Sequence, residues 1–142
     1  MIPLRMILDT DVIMAAIRST KGASAEIVRR VLRGEMHIEL TVAMALEYEA
    51  VVMREEHLRA GELTAAEAMN VIDALAALAT PIEIHFRWRP QLRNADDEMI
   101  LEAAINAHDR TIVTFNRRDF VGAAERFGVA LASPREILEK RT

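Results

Sequence analysis

Short apolar runs that alternate with helix-period segments constrain this chain more than any other feature. Met6-Ile7-Leu8 ends at Asp9 and suits a strand buried on both faces, because a strand covered on both sides reads as a continuous apolar run. A helix is expected from about Val12. Residues 24 to 33 set Ile27, Val28, Val31 and Leu32 on one face and Arg29, Arg30 and Arg33 on the other, a helical pattern that stops at Gly34. Met36 to Thr41 reads as a second strand and Ala43 to about Arg54 as a helix, and Thr64 with Glu67 forms a capping box that opens a helix to about Ala79. Alternation over Pro81 to Phe86 predicts a third strand, Thr111 to Thr114 a fourth and Val129 to Leu131 a fifth, with a helix over Asp96 to Ala107 before the fourth. Ser133, Pro134 and Glu136 combine an N-cap, a first-turn proline and a capping-box glutamate, the start of a last helix. This order predicts an α/β fold of three layers, a central parallel sheet of about five strands between two layers of helices. Ligands of such sheets gather at the carboxyl ends of the strands, where the winding reverses.

The 142 residues, 51% hydrophobic and 28% charged, predict one domain over 1–142, with no linker, low-complexity run or internal repeat to divide it. A chain of this length buries about two-thirds of the surface its unfolded form exposes, so it needs neither disulfides nor a structural zinc. It has no cysteine. Arg5, Asp9 and Asp11 interrupt the first apolar stretch, and nowhere do eighteen apolar residues run together. Neither secretion nor a membrane span is expected, and a cytoplasmic location is. A net charge of −4 argues against a whole-surface polyanion binder, yet it leaves room for a local basic patch beside an acidic, metal-binding pocket.

Asp9 and Asp11, just past the first strand, stand where an open parallel sheet presents a metal or phosphate site. Read locally, the same pair caps the next helix and complements its positive end. Asp96, Asp97 and Glu98 form a second acidic group at a helix start that Asn94 can cap, with one of the three expected to point inward. Glu47 lies on the helix after the second strand, where a glutamate beside a tyrosine is ordinarily solvated. Thr114 to Phe120 follow the fourth strand as a polar turn carrying Asn116 and Asp119. Three of these groups leave strand ends or helix starts on one rim of the expected sheet, and the fourth lies on an adjacent helix. Converging carboxylates raise one another's pKa or recruit hard divalent cations. Mg2+ or Mn2+ fits better than zinc, since the chain has no cysteine and no close histidine pair. His37, His57, His85 and His108 are scattered and read as structural or surface residues.

Ile7-Leu8-Asp9-Thr10-Asp11-Val12, Leu46-Glu47-Tyr48, Asp96-Asp97-Glu98-Met99-Ile100-Leu101-Glu102-Ala103-Ala104 and Val113-Thr114-Phe115-Asn116-Arg117-Arg118-Asp119-Phe120 together span nearly the whole chain. In that order the sequence resembles the PIN-domain ribonucleases, specifically the toxins of bacterial and archaeal toxin–antitoxin pairs. The resemblance implies a three-layer fold and metal-dependent hydrolysis of single-stranded RNA to products with a 5′-phosphate and a 3′-hydroxyl. It also implies a cognate antitoxin that blocks the site. Residue by residue, Asp9 matches the first invariant acid, Glu47 the helix glutamate, and Asp97 the acid that opens the helix before the last catalytic strand, while Thr10 and Thr114 match the motif hydroxyls. The catalytic set implied is Asp9, Glu47, Asp97, Asn116 and Asp119, with Asp9, Asp97 and Glu47 as ligands of Mg2+ or Mn2+. Thr10, Asp11, Thr114, Arg117 and Arg118 are the implied substrate contacts. Such an ion would supply an activated water for attack on phosphorus, so that no covalent protein nucleophile would be required. Two positions depart from the family pattern. Asp11 stands where the family usually has asparagine, which adds negative charge and alters metal affinity, and Asn116 stands where many members have a fourth acid, which weakens or removes a second metal unless Asp119 supplies a carboxylate. Asparagine followed by a basic pair and Asp-Phe also resembles a common toxin subfamily.

An acid-free stretch between Glu83 and Asp96 carries His85, Arg87, Trp88, Arg89 and Arg93. Its arginines suit phosphates, and Trp88 either stacks a base or packs on the core. The helix from Thr64 to Ala79 is apolar on most sides, with Met69, Ile72, Leu75, Ala76 and Ala79 in one stripe. It belongs either to the core or to an interface with a second copy, as in a homodimer, or with the antitoxin. Two other readings stay open. Asp9-Thr10-Asp11 also fits the D-x-D signature of haloacid-dehalogenase-like phosphatases, but that family needs a lysine before its late acids, and Lys21 and Lys140 are both badly placed. The other is a PIN-like fold that binds RNA or a partner without cutting, which the asparagine at position 116 favours.

Overall fold

A computed structural model describes residues 4–86, 92 and 94–140. Five short strands, β1 Arg5–Leu8, β2 His37–Leu40, β3 Thr80–Pro81, β4 Thr111–Val113 and β5 Ala130–Ala132, form one sheet in the order β3-β2-β1-β4-β5. Every described pairing is parallel. Met6, Ile7, Leu8, Ile112 and Val113 are almost wholly buried, the burial that continuous apolar strands predict. The chain winds outward from β1 through β2 to β3, then crosses to β4 and β5 on the other side. The winding therefore reverses between β1 and β4. Their register sets Leu8 beside Val113, so Asp9 and Thr114 leave the sheet next to each other at its carboxyl end.

Helices cover both faces, giving three layers: α1 Thr10–Arg18, α2 Ala23–Leu32, α3 Val42–Val52, α4 Glu55–Gly61, α5 Ala65–Leu78, α6 Ala95–Asn106, α7 Val121–Phe127 and α8 Pro134–Lys140. Asp9 is the N-cap of α1, so that helix starts two residues before the Val12 expected from the pattern. The expected capping box opens α5, with Glu67 N–H donating to Thr64 Oγ1 at 3.1 Å and Thr64 N–H to Glu67 Oε1 at 3.0 Å. Ser133 and Glu136 make the same reciprocal pair at the start of α8, at 3.0 and 3.2 Å. Along α5, Ala68, Ile72 and Leu75 are buried at helical spacing while Ala76 is exposed, so the stripe is narrower than the sequence suggests and belongs to the core.

Two segments differ from expectation for tertiary reasons. β3 is two residues long instead of six, because β2 ends at Leu40 and the chain turns into α3. The last rung is Ile82 N–H to Leu40 C=O at 2.8 Å. Beyond it, His85 and Phe86 donate their N–H groups to Asn106 Oδ1 at 2.8 and 2.9 Å, a side-chain substitute for a strand partner. The helix α4 follows α3 after a tight turn that no pattern announces, and it approaches α1 closely at Gly61. A Cβ there would overlap the Ile17 carbonyl oxygen, a backbone atom that cannot step aside. Gly61→Ala is therefore expected to destabilise the fold by about 1–3 kcal/mol, outweighing the gain of at most ~1 kcal/mol in helix propensity. A fall in the urea midpoint checks this.

At the amino end of the sheet, Glu39 is fully buried yet satisfied: His108 Nδ1 lies 2.8 Å from Oε1 and His108 N–H donates to Oε2 at 3.2 Å. Arg5, whose Nη1 is 3.9 Å away, adds a positive charge. This network ties the loop before β4 to β2 and gives His108 a structural place.

Candidate active site

The carboxyl ends of β1 and β4 open onto a cavity of about 180 Å3 whose walls include Asp9, Thr10, Asp11, Glu47, Asp96, Asp97, Asn116 and Asp119. Each acid arrives by a different route. Asp9 ends β1 and caps α1, Asp11 sits in the first turn of α1, and Glu47 projects from mid-α3. Asp96 and Asp97 begin α6 behind their N-cap Asn94, whose Oδ1 accepts Asp96 N–H at 2.8 Å. Asp119 closes a short 3-10 turn, Arg117–Asp119, that follows β4. The local reading of Asp9 holds, since one oxygen caps the helix, and the same residue stands in the cavity wall.

Hydrogen bonds fix the two central aspartates. Asp9 Oδ1 accepts Thr10 N–H at 2.8 Å, and Asp9 Oδ2 accepts the Thr114 hydroxyl at 2.7 Å. Thr114 is fully buried, and its Oγ1 also accepts Asn116 N–H at 2.9 Å. Asp11 Oδ2 accepts Phe115 N–H at 3.1 Å and Asn116 Nδ2 at 3.0 Å. The other Asp11 oxygen, Oδ1, is buried without a hydrogen-bond partner among the described residues. Tyr48, one residue past Glu47 and fully buried, donates its hydroxyl to the Leu8 carbonyl and so pins α3 to the end of β1.

Crowding of acids is visible in their proton affinities. Burial, with the charge of Asp11 added, pushes Asp9 up to about 6 despite the bonds from Thr114 and Thr10 that pull the other way. Burial, followed by the charges of Asp9, Asp119 and Asp96, pushes Asp97 up to about 6. Asp11 is raised chiefly by its burial. Burial first, then the Asp9 and Asp11 charges, holds the Tyr48 phenol well above its usual range. Such a site keeps its protons or collects cations.

The sequence matches the PIN domain family over residues 5–118. The chain belongs to that family. No individual curated protein matches it. PIN domains are generally nucleases, which bind nucleic acids and use divalent metals.

The donors of this PIN domain suit such an ion. They are all hard oxygens, Asp11 Oδ1 is a buried acceptor with no partner, and Arg54 is the one cation among the described lining residues. A cavity of about 180 Å3 leaves room for an ion that keeps part of its hydration shell. Among the described residues no three acidic or histidine side chains already stand around one point. Mg2+ does not require that, since it is commonly held by one or two carboxylates and several waters.

The structure brings Asp9, Thr10, Asp11, Glu47, Asp97, Asn116 and Asp119 to one cavity. Thr114 lies beneath it, holding Asp9 in place. Of the acids that open α6, the most buried is Glu98, and its Oε1 takes Leu92 N–H instead of lining the cavity. Arg117 is ion-paired with Glu136, whereas Arg118 is exposed and has no ion-pair partner among the described residues. Arg87, Trp88, Arg89 and Arg93 lie outside the described residues. Sequence reasoning missed Met14, Val51 and Arg54 in the cavity wall. Helical spacing carried the signal for two of them, since Met14 is one turn after Asp11 and Val51 one turn after Glu47, whereas Arg54 lies in the turn between α3 and α4.

Proposed function

We propose that this PIN domain is a Mg2+- or Mn2+-dependent endoribonuclease that hydrolyses phosphodiester bonds of single-stranded RNA, and that it is the toxin of a toxin–antitoxin pair. The observation that carries the nuclease reading is the convergence of acids from β1, α1, α3, α6 and the turn after β4 on one cavity at the point where the sheet reverses its winding. Asp9, Asp97 and Glu47 would hold the ion, and the unpartnered oxygen of Asp11 gives a fourth donor. A divalent ion bound there lowers the pKa of a water and neutralises negative charge on the phosphoryl oxygens. Thr114 holds Asp9 in its rotamer, Tyr48 holds α3 against β1, and Arg118, exposed and without an ion-pair partner among the described residues, offers a positive charge to the RNA backbone. Asp119 supplies a further carboxylate beside Asn116.

The toxin role rests on the ordered resemblance of the four motifs. It includes a cognate antitoxin, a homodimer and a cytoplasmic location. Val42 and Leu46, 78% and 60% exposed on the same helix as Glu47, are apolar surface that a protein partner would cover. Among the described residues no helix is long and apolar enough to cross a membrane. The deciding experiment is a titration of Mg2+ and Mn2+ against a single-stranded RNA library. Cleavage is expected to appear with metal, to vanish with a chelator, and to be lost in Asp97→Ala at unchanged circular dichroism. Binding without cleavage at every metal concentration would make the protein an RNA binder, and release of phosphate from small phosphoesters through an aspartyl-phosphate at Asp9 would make it a phosphatase. Growth arrest on expression, relieved by a neighbouring small gene, tests the toxin role.

A further inference from the structure

We propose that a second cavity, adjoining the acidic one, seats a nucleobase of the RNA, and that Phe115 is the ring on which this base stacks. The proposal rests on the nuclease reading above and names the part of the site that grips the substrate next to the bond being cut. The cavity has a volume of about 660 Å3, several times that of the acidic one and within the roughly 300–1,000 Å3 range of small-molecule sites. Its walls include Phe115, Arg118 and Ser133, and it shares Asn116 and Asp119 with the acidic cavity. A chain lying across that shared wall places a phosphate over the acids and an adjacent base beside Phe115.

Phe115 is 54% exposed. A singly exposed apolar side chain is ordinary, so exposure alone assigns nothing. What sets this ring apart is its anchorage. Its own N–H is bonded to Asp11 Oδ2, and the next residue's N–H to Thr114 Oγ1, so the backbone carrying the ring is fixed by the same two side chains that order the acids. The backbone that carries the ring is held beside the acidic centre and loses little freedom when a ligand arrives. Two cations, Arg117 and Arg118, flank the ring in the wall of the same cavity; Arg117 lies against Glu136, and Arg118 has no ion-pair partner among the described residues. An aromatic face beside an exposed arginine is the pairing used for single strands, where stacking contributes ~1–3 kcal/mol per base.

The polar groups of the same wall are only partly engaged. Ser133 N–H donates to Glu136 and the Ser133 hydroxyl accepts Glu136 N–H, while Asn116 gives one amide N–H to Asp11. Stacking surface sets the main preference, so purines are preferred over pyrimidines there without a strict sequence requirement.

The test is a cycle on one cleavable RNA, in which a single abasic residue is moved stepwise past the scissile bond in the presence of the supporting metal. In the wild type, kcat/KM is expected to fall about tenfold when the abasic residue occupies one position next to the cut. Phe115→Ala should lose about the same factor on the intact RNA and nothing further when that base is removed, whereas Phe115→Trp should behave as the wild type. Circular dichroism confirms folding of both variants. Equal cleavage by the wild type and Phe115→Ala, or losses from the variant and from base removal that simply multiply, would overturn the proposal and leave the ring to a protein partner. Absence of metal-dependent cleavage in the wild type would instead overturn the nuclease reading, a result in which Phe115 plays no part.

Discussion

Asp9→Asn is expected to reduce metal-dependent cleavage roughly a thousandfold, the rate equivalent of about 4 kcal/mol, while raising the melting temperature of the metal-free protein at neutral pH. The two effects have one origin. Asp9 is 6% exposed, stands beside Asp11, and has its carboxyl pushed up to about 6 from 3.8 by burial first and that neighbour second. Ionising it in the fold therefore costs up to about 3 kcal/mol, at about 1.4 kcal/mol per pH unit. Asparagine removes the charge and keeps the local bonds. It caps a helix as well as aspartate does, its carbonyl still accepts Thr10 N–H, and the Thr114 hydroxyl can turn to accept from its amide. The opposing loss, of a negative charge at the amino end of α1, is only ~0.3–1 kcal/mol. A net gain of about 1–2 kcal/mol remains, or a few degrees in melting temperature. Retained cleavage would remove Asp9 from the site, and a lowered melting temperature would contradict its electrostatic strain.

The same carboxyls fix the direction of the pH dependence. In a group whose folded pKa lies above its unfolded value, the protonated form favours the fold. Its stabilisation is complete below about pH 4 and is lost as pH rises through about 6. Stability of the metal-free wild type is thus expected to decline between about pH 4 and 6, with Asp9 and Asp97 both contributing. Divalent metal should restore it above that window and not below, since protonated carboxyls bind ions poorly. Asp9→Asn should flatten the decline in part.

How much of this was legible in the sequence follows from the range of the interactions involved. The strands, the capping boxes at Thr64 and Ser133, and the cap at Asn94 are local and could be read directly. The length of β3 could not, because it is set by where β2 ends and by a bond from Asn106, 24 residues beyond Ile82. Asp9 was legible in both its roles, since a strand-terminal aspartate before a helix is a cap and a rim residue at once. Glu47 was not legible from physics alone: its neighbours on α3 do not say which face meets the rim, and only the motif pointed to it. Arg54 was missed because α3 and α4 are joined by a turn that carries no glycine or proline.

The second large effect comes from the two positions where the sequence departs from the family pattern, because they touch. Asn116 Nδ2 donates to Asp11 Oδ2 at 3.0 Å across 105 residues of chain, a contact that exists only because β1 and β4 are neighbours. An amide and a carboxylate thus meet at the wall of the cavity. Asn116→Asp alone should set a second carboxylate against a buried one, lose a hydrogen bond to a charged group worth ~1.5–3 kcal/mol, and lower both stability and activity. Asp11→Asn alone should be milder for the fold, since the amide oxygen can still accept from Phe115 N–H and Asn116, but it places a donor where the unpartnered Oδ1 now lies and removes one charge from the cavity. The double variant Asp11→Asn/Asn116→Asp should recover stability relative to Asn116→Asp, with a coupling energy of about 1–3 kcal/mol, and should recover cleavage in parallel. Urea midpoints and initial rates on one RNA measure both arms of the cycle. Strict additivity would mean that the two residues act independently and that their contact does not set the charge of the site.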